Sequence, residues 1–312
     1  MRTINVEFKK NGKQYVFLDN NLDINEEDYV VVNTERGLQF GKVVSIIGPA
    51  DANSNHATVY KIATKDDERQ NERNIKEAEQ ATKKAQELAK VINATASTNE
   101  DVARNSQYLM LGVKPQVLPS LIDEIREFVS QETILVTMAA GIKMATLEQQ
   151  LNKQDIKVIR IMPNTPVAIG EGVVLASKNA NVSDDEFNKF IEDFKDAGMI
   201  VPVDENLIDA GSVVMGCGPA YIYMYIDALA KAGESLGLDY DLAAKLAKAT
   251  TIGSAKLSSV SDESLESLRI KVCSPGGSTI EGVHVLEDQN LDKLVLDALT
   301  AAYKRTKELA GE

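Results

Sequence analysis

The chain has 312 residues, a length that exceeds the usual single domain, so two or three packed units with real cores are expected and disorder is not the default. Its net charge of −13 is uneven: residues 1–93 hold 14 Lys/Arg against 15 Asp/Glu, and the remainder carries about −12, an acidity that repels phosphate backbones and disfavours nucleic acid, so none is expected as the partner of the long C-terminal part. No run approaches the ~20 uninterrupted apolar residues of a membrane span and the start MRTINVEFKKNGKQY has no apolar signal core, so a soluble, cytoplasmic chain without a membrane partner is expected.

The first sixty residues read as strands. Ile4-Asn5-Val6-Glu7-Phe8 alternates, Asn11-Gly12 is a hairpin turn, and Gln14 to Leu18 returns. Asp28 to Val32 then runs to a Glu35-Arg36-Gly37 turn, and Leu38 to Val44 comes back, which predicts a small antiparallel β domain over 1–65. Over 66–92 the period changes. Ile75, Ala78, Thr82, Ala85, Leu88 and Ile92 are spaced three and four apart behind a Thr64-to-Asp67 capping box, so one junction helix is expected there, lying on a neighbour or linking domains.

From residue 93 strands alternate with helices. Tyr108 to Val113 and Thr133 to Met138 are apolar runs separated by the amphipathic Val117 to Val129, and Val158 to Met162 follows the next helix. This is the rhythm of a parallel sheet whose ligands sit at the C-terminal strand ends. Gly172 to Ser177 and Met199 to Val203 add two strands around a helix at 183–197, completing a domain over 93–204. Beyond residue 205 the pattern is helical to 312, and the runs Ala220 to Leu236 and Tyr240 to Leu257 are too apolar for solvent, so this domain is expected to bury a subunit interface. Cys217 and Cys273, with only His56 and His284 beside them, fit neither a disulfide framework nor a metal site; buried free thiols and no metal are expected.

Three strand ends carry loop chemistry: Gly112-Val113-Lys114-Pro115, Ala139-Ala140-Gly141, and Pro163-Asn164-Thr165-Pro166. Two helix starts join them. Met215-Gly216-Cys217-Gly218-Pro219-Ala220-Tyr221 opens one, and Ser274-Pro275-Gly276-Gly277-Ser278-Thr279 opens another with bare amides that favour an anion. Taken singly each is an ordinary turn or helix start.

With all five in this order, the chain from about residue 93 to its end resembles the pyrroline-5-carboxylate reductases; the stretch Leu265 to Glu287, with Val272 to Ile280, Gly282-Val283 and Leu286-Glu287, matches that family's signature closely. The resemblance implies a fold: a truncated Rossmann-like sheet plus an all-helical dimerisation domain, giving a homodimer or higher homo-oligomer. It also implies an activity, hydride transfer from NADPH or NADH to the C=N bond of a small cyclic imino acid, with no protein nucleophile. Carried over by position, Gly112, Val113, Lys114, Pro115, Ala139, Ala140 and Gly141 would lie along the nicotinamide and its ribose, Asn99 would meet the adenosine side, and Asn164 would also belong to the cofactor-binding set. Ser274, Gly277 and Ser278 would form the substrate's carboxylate site, with the amides of Gly277 and Ser278 beneath it; Thr279 would hydrogen-bond the ring nitrogen as the catalytic residue, and Glu205 would sit near the same pocket.

Two departures stand out. Met215 and Cys217 replace serines of the family's Ser-Gly-Ser-Gly-Pro-Ala-Tyr stretch, and the family's opening strand with its G-x-G-x-x loop has no counterpart; Gly216-Cys217-Gly218 follows no strand and is discounted. Loss of about three charge-assisted hydrogen bonds to a pyrophosphate would cost ~5–9 kcal/mol, or ~10³ to 10⁶ in affinity. In the loop's place, Asn5 to Phe8, Gly12 to Phe17, Val30 to Gly37 and Phe40 to Val44 resemble the start of the PSP1 (YaaT-type) proteins. The chain therefore carries two readings: a working reductase, or a non-catalytic fusion of a PSP1-like module with a dimerising reductase remnant.

Overall fold

Ile4 and Val6 alternate with polar neighbours, the period of two that opens the sheet formed by the first sixty or so residues. In a computed structural model that describes residues 1–8, 12–34, 37–50, 56–153 and 155–309, the chain divides into two compact units, 1–98 and 99–312. The first holds β1 (Arg2–Glu7), β2 (Gln14–Leu18), β3 (Tyr29–Thr34), β4 (Gly37–Pro49) and β5 (Val59–Ile62), antiparallel in the order β2-β1-β4-β3-β5. Ile4, Val6, Val30, Val32, Val43 and Val59 fill its core with Phe17 and Ile24. The turn residues Asn11, Glu35 and Arg36 lie outside the described residues. After β5 comes α1 (Lys65–Val91), opened by the expected Thr64/Asp67 capping box; Ile75, Leu88 and Ile92 on its stripe are all exposed.

The second unit opens with α2 (Asn99–Asn105) and β6 (Tyr108–Leu111), and then alternates: α3 (Leu118–Ile125), β7 (Ile134–Thr137), α4 (Met144–Leu151), β8 (Lys157–Pro163). A 3-10 turn over Thr165–Ile169 leads into β9 (Gly172–Lys178), followed by α5 (Asp184–Asp193) and β10 (Gly198–Pro202). The sheet order is β10-β9-β8-β7-β6, with β6, β7 and β8 parallel, β9 antiparallel to β8, and β10 parallel to β9. The antiparallel pair has a simple cause: the link from Pro163 to Gly172 is shorter than the dozen or more residues a parallel crossover needs.

Side chains alternate across β7, so Leu135 joins Leu111, Ile122, Ile125 and Leu147 on one face, and Ile134 and Val136 join Ile159, Ile161, Phe187 and Phe190 on the other. Helices thus cover both faces. Within the described residues of this unit β6 pairs only with β7 and forms the edge of the sheet.

The helical end comprises α6 (Glu205–Met215), α7 (Gly218–Ser235), α8 (Tyr240–Val260), α9 (Leu265–Val272), α10 (Ser278–Asp288) and α11 (Leu291–Leu309). Helix α6 packs on β9 at Gly211, where a Cβ would stand 2.4 Å from Leu175 Cδ1. The turn from α7 into α8 passes through Gly237 (φ 99), with Leu238 N donating to Gly233 O and Gly237 N to Glu234 O, the two bonds of a Schellman motif. Among the described residues of α7 to α11 only Ala230, Ala243 and Ala247 are buried hydrophobics, while Met224, Leu236 and Val260 are at least 70% exposed. The α6–α7 stretch Glu205–Ser235 is long and apolar enough to cross a membrane by length and composition.

Candidate active site

Parallel strands deliver their following loops to one sheet edge, so the C-terminal ends of β6, β7 and β8 bring three of the five expected segments together. After β6, Gly112 is exposed and an added Cβ there would meet nothing within 4 Å, leaving the backbone open to a flat ligand. Pro115 and the exposed Lys114 follow before α3 begins. After β7, Ala139 is buried and its amide donates to Thr137 Oγ1 at 3.3 Å, whereas Ala140 is exposed; Gly141 turns the chain at φ 75 into α4.

After β8, the Asn164 side chain is occupied on both sides. Its Oδ1 accepts from Val173 N at 2.9 Å and its Nδ2 donates to Met215 O at 3.0 Å, so it joins the strand end to the end of α6. Asn99, the first residue of α2, donates to Glu124 Oε1 at 3.3 Å.

The substrate-side segments occupy the helical end. Gly276 (φ 69) turns the chain after α9, Gly277 N donates to Ser274 O at 2.9 Å, and α10 starts at Ser278 with no side-chain cap on its first amides. Ser278 and Thr279 are exposed. An uncapped helix start of this kind presents donors and a positive dipole end to an anion. Helix α10 packs against α11.

Glu205 begins α6. Its Oε1 accepts from Met144 N at 2.7 Å, at the start of α4, and from Arg160 Nη1 at 3.4 Å. Arg160 and Asp209 were not singled out in the sequence, yet both are buried and joined at 2.8 Å. A signal was present: Arg160 is the lone charge in the run Val158-Ile159-Arg160-Ile161-Met162, and a buried strand keeps a guanidinium only beside carboxylates. Cys217 and Cys273 are free thiols, half-buried rather than buried, because both lie at the ends of helices whose apolar faces are open.

For a dinucleotide the fit is uneven. The open Gly112 backbone and the Ala139–Gly141 turn form a ledge suited to the nicotinamide end. For the pyrophosphate, the described residues of this unit offer no strand beyond β6 and no glycine-rich strand-to-helix turn.

Comparison with known proteins covers the same segments. Residues 205–309 match the family model for pyrroline-5-carboxylate reductase dimerisation, and residues 55–141 match that for coenzyme F420-dependent NADP oxidoreductases. The pyrroline-5-carboxylate reductase of Pisum sativum is 36% identical over 214 residues, spanning 69% of this chain and 78% of its own; that of Arabidopsis thaliana is 39% identical over 214 residues, spanning 69% and 77%. Among solved structures, the Plasmodium falciparum pyrroline carboxylate reductase with NADP bound superposes with a TM-score of 0.65 at 30% identity, covering 70% of this chain and 82% of that one.

Proposed function

The chain belongs to the pyrroline-5-carboxylate reductase family, and from that premise we propose that it reduces the C=N bond of 1-pyrroline-5-carboxylate to proline with NADPH or NADH. The observation that carries the reading is that one unit holds both the three-loop ledge at the ends of β6, β7 and β8 and the uncapped start of α10. The cofactor, when bound, supplies hydride from C4 of its nicotinamide. The chain's own residues bind and orient. The Gly112–Pro115 and Ala139–Gly141 backbone would hold the nicotinamide ring, the amides of Gly277 and Ser278 would take the substrate carboxylate, and the Thr279 hydroxyl would accept from the protonated ring nitrogen. That nitrogen already holds its proton, so hydride addition to the neighbouring carbon gives the amine with no side chain changing protonation.

The division into 1–65, 66–92, 93–204 and 205–312, and the cytoplasmic location, belong to the same proposal. A homodimer or larger assembly is expected to cover the apolar faces of α7 and α8. The apolar Glu205–Ser235 stretch is read as interface rather than membrane span, because Glu205 and Asp209 within it are held by Arg160 of the sheet.

One observation favours a second reading: among the described residues of this unit, β6 has a single partner strand and no glycine-rich loop stands beside it. On that reading the PSP1-like first unit is fused to a dimerising part that does not turn over. Calorimetry of NADPH and NADH with the full chain, in the presence of proline, separates the two. Micromolar binding, with steady-state turnover that Thr279→Ala reduces, supports the reductase; no binding at millimolar cofactor overturns it and leaves the fusion.

A further inference from the structure

We infer that Arg160 is a positioning residue for hydride transfer: through Glu205 it sets the Ala139–Gly141 ledge, and through Asp209 and Lys307 it sets the ledge's angle to the helical end. The inference rests on the reductase reading above. Its ground is a four-member charge cluster that joins four elements. Arg160 lies in the middle of β8 and is 1% exposed. Its Nη2 donates to Asp209 Oδ1 at 2.8 Å and its Nη1 to Glu205 Oε1 at 3.4 Å. The same Glu205 oxygen accepts from Met144 N, the first residue of α4 just past Gly141. The second oxygen of Asp209, itself 5% exposed, accepts from Lys307 Nζ of α11 at 3.2 Å. Two cations thus balance two carboxylates.

Burying such a group is a poor way to gain stability. Desolvation of the ions offsets most of their attraction, and apolar side chains of equal volume do as well or better. What the cluster does supply is direction. A guanidinium is a rigid fork, so its two arms hold the first turn of α6 at a set angle to β8. Arg160 Nε is buried without a partner, which means the fork is oriented toward two carboxylates at the expense of its own third donor. At the other end of α6, Asn164 repeats the device by donating to Met215 O. Both ends of α6 are therefore held by side chains from β8 and the residue after it, which ties the start of the helical end to the sheet that carries the ledge.

A lysine at position 160 keeps the charge and loses the fork, so it holds one carboxylate and releases the other. The test uses the full chain as wild type, Arg160→Lys and Asp209→Asn, with two readouts. In hydrogen exchange without cofactor, Arg160→Lys, whose single ammonium keeps the shorter bond to Asp209, is expected to speed the Met144 amide by about tenfold or more and to spare α11, while Asp209→Asn loosens α11 around Lys307 and spares Met144; α5 stays unchanged in both. In turnover with NADPH deuterated at the transferred position, Arg160→Lys is expected to lower kcat by about tenfold, keep the substrate KM within about twofold, and raise the primary isotope effect. A lower kcat with an unaltered isotope effect, as a smaller folded fraction gives, overturns the positioning role, and so does a Met144 amide that Arg160→Lys leaves protected. A wild-type chain that does not turn over counts against the reductase reading alone, since the exchange arm still decides whether the cluster holds the ledge.

Discussion

Replacing Gly211 by alanine sets two effects of opposite sign against each other in the middle of α6. Alanine favours a helix over glycine by ~0.8–1 kcal/mol. Against that, the new Cβ would stand 2.4 Å from Leu175 Cδ1, with Cγ and Cδ2 at 3.6 and 3.7 Å, so the methyl must retreat by roughly 1 Å to ordinary contact. Leu175 is 7% exposed on β9 and has close-packed neighbours to push against, a situation that costs ~1–3 kcal/mol. The clash wins, and Gly211→Ala is expected to lose about 0.5–2 kcal/mol of local stability, read from native-state hydrogen exchange of the α6 amides. Leu175→Ala alone costs ~2–4 kcal/mol, and the double variant is expected to be more stable than the sum of the two by ~1 kcal/mol or more. Strict additivity, or a Gly211→Ala chain stabilised by the full helix-propensity gain, would refute the close approach of α6 to the sheet.

Two further outcomes are expected. Met224→Asp places a carboxylate on the open apolar face of α7, where Met224 is 70% exposed beside Tyr223 and Tyr225, and should weaken self-association by about 100-fold or more in sedimentation; unchanged association would remove α7 from the interface. Glu186, hydrogen-bonded by Lys157 and by the Ser183 backbone and hydroxyl, has its carboxyl held at about 2 against an ordinary 4.5. The folded value lies below the unfolded one, so its contribution is full above about pH 4.5 and disappears as pH falls toward 2. Glu186→Gln should flatten the acid-unfolding curve in that window, and a curve that keeps its slope there would assign the acid loss elsewhere.

Much of this architecture was legible from periodicity and punctuation. The alternation around Ile4 and Val6, the Thr64/Asp67 box and the apolar runs at Leu109 and Leu135 all mark elements that the structure contains. What escaped was short or directional. β5 has four residues and α2 seven, too few for a period to declare itself, and the run from Tyr108 was read on to Val113 although the strand ends at Leu111, before the exposed Gly112. The reversed direction of β9 leaves no mark in its residues; it is written in the brevity of the link before it. The site divides in the same way. Loop positions such as Gly112 and Gly141 announce themselves by residue type, whereas the joining of Arg160 to Asp209, 49 positions apart, depends on how two elements cross and shows only as an odd charge in an apolar strand.

The charge cluster also orders the chain in time. During synthesis at ~5–20 residues per second, Arg160 leaves the ribosome several seconds ahead of Asp209, and Lys307 follows Asp209 by a further 98 residues, or ~5–20 s. Until α6 arrives, β8 carries a cation without its two carboxylates, and burial of that cation is opposed by its desolvation. A nascent chain halted before α11 would hold Glu205 and Asp209 with one cation between them, so the neutralisation of the cluster is complete only once that helix has been made.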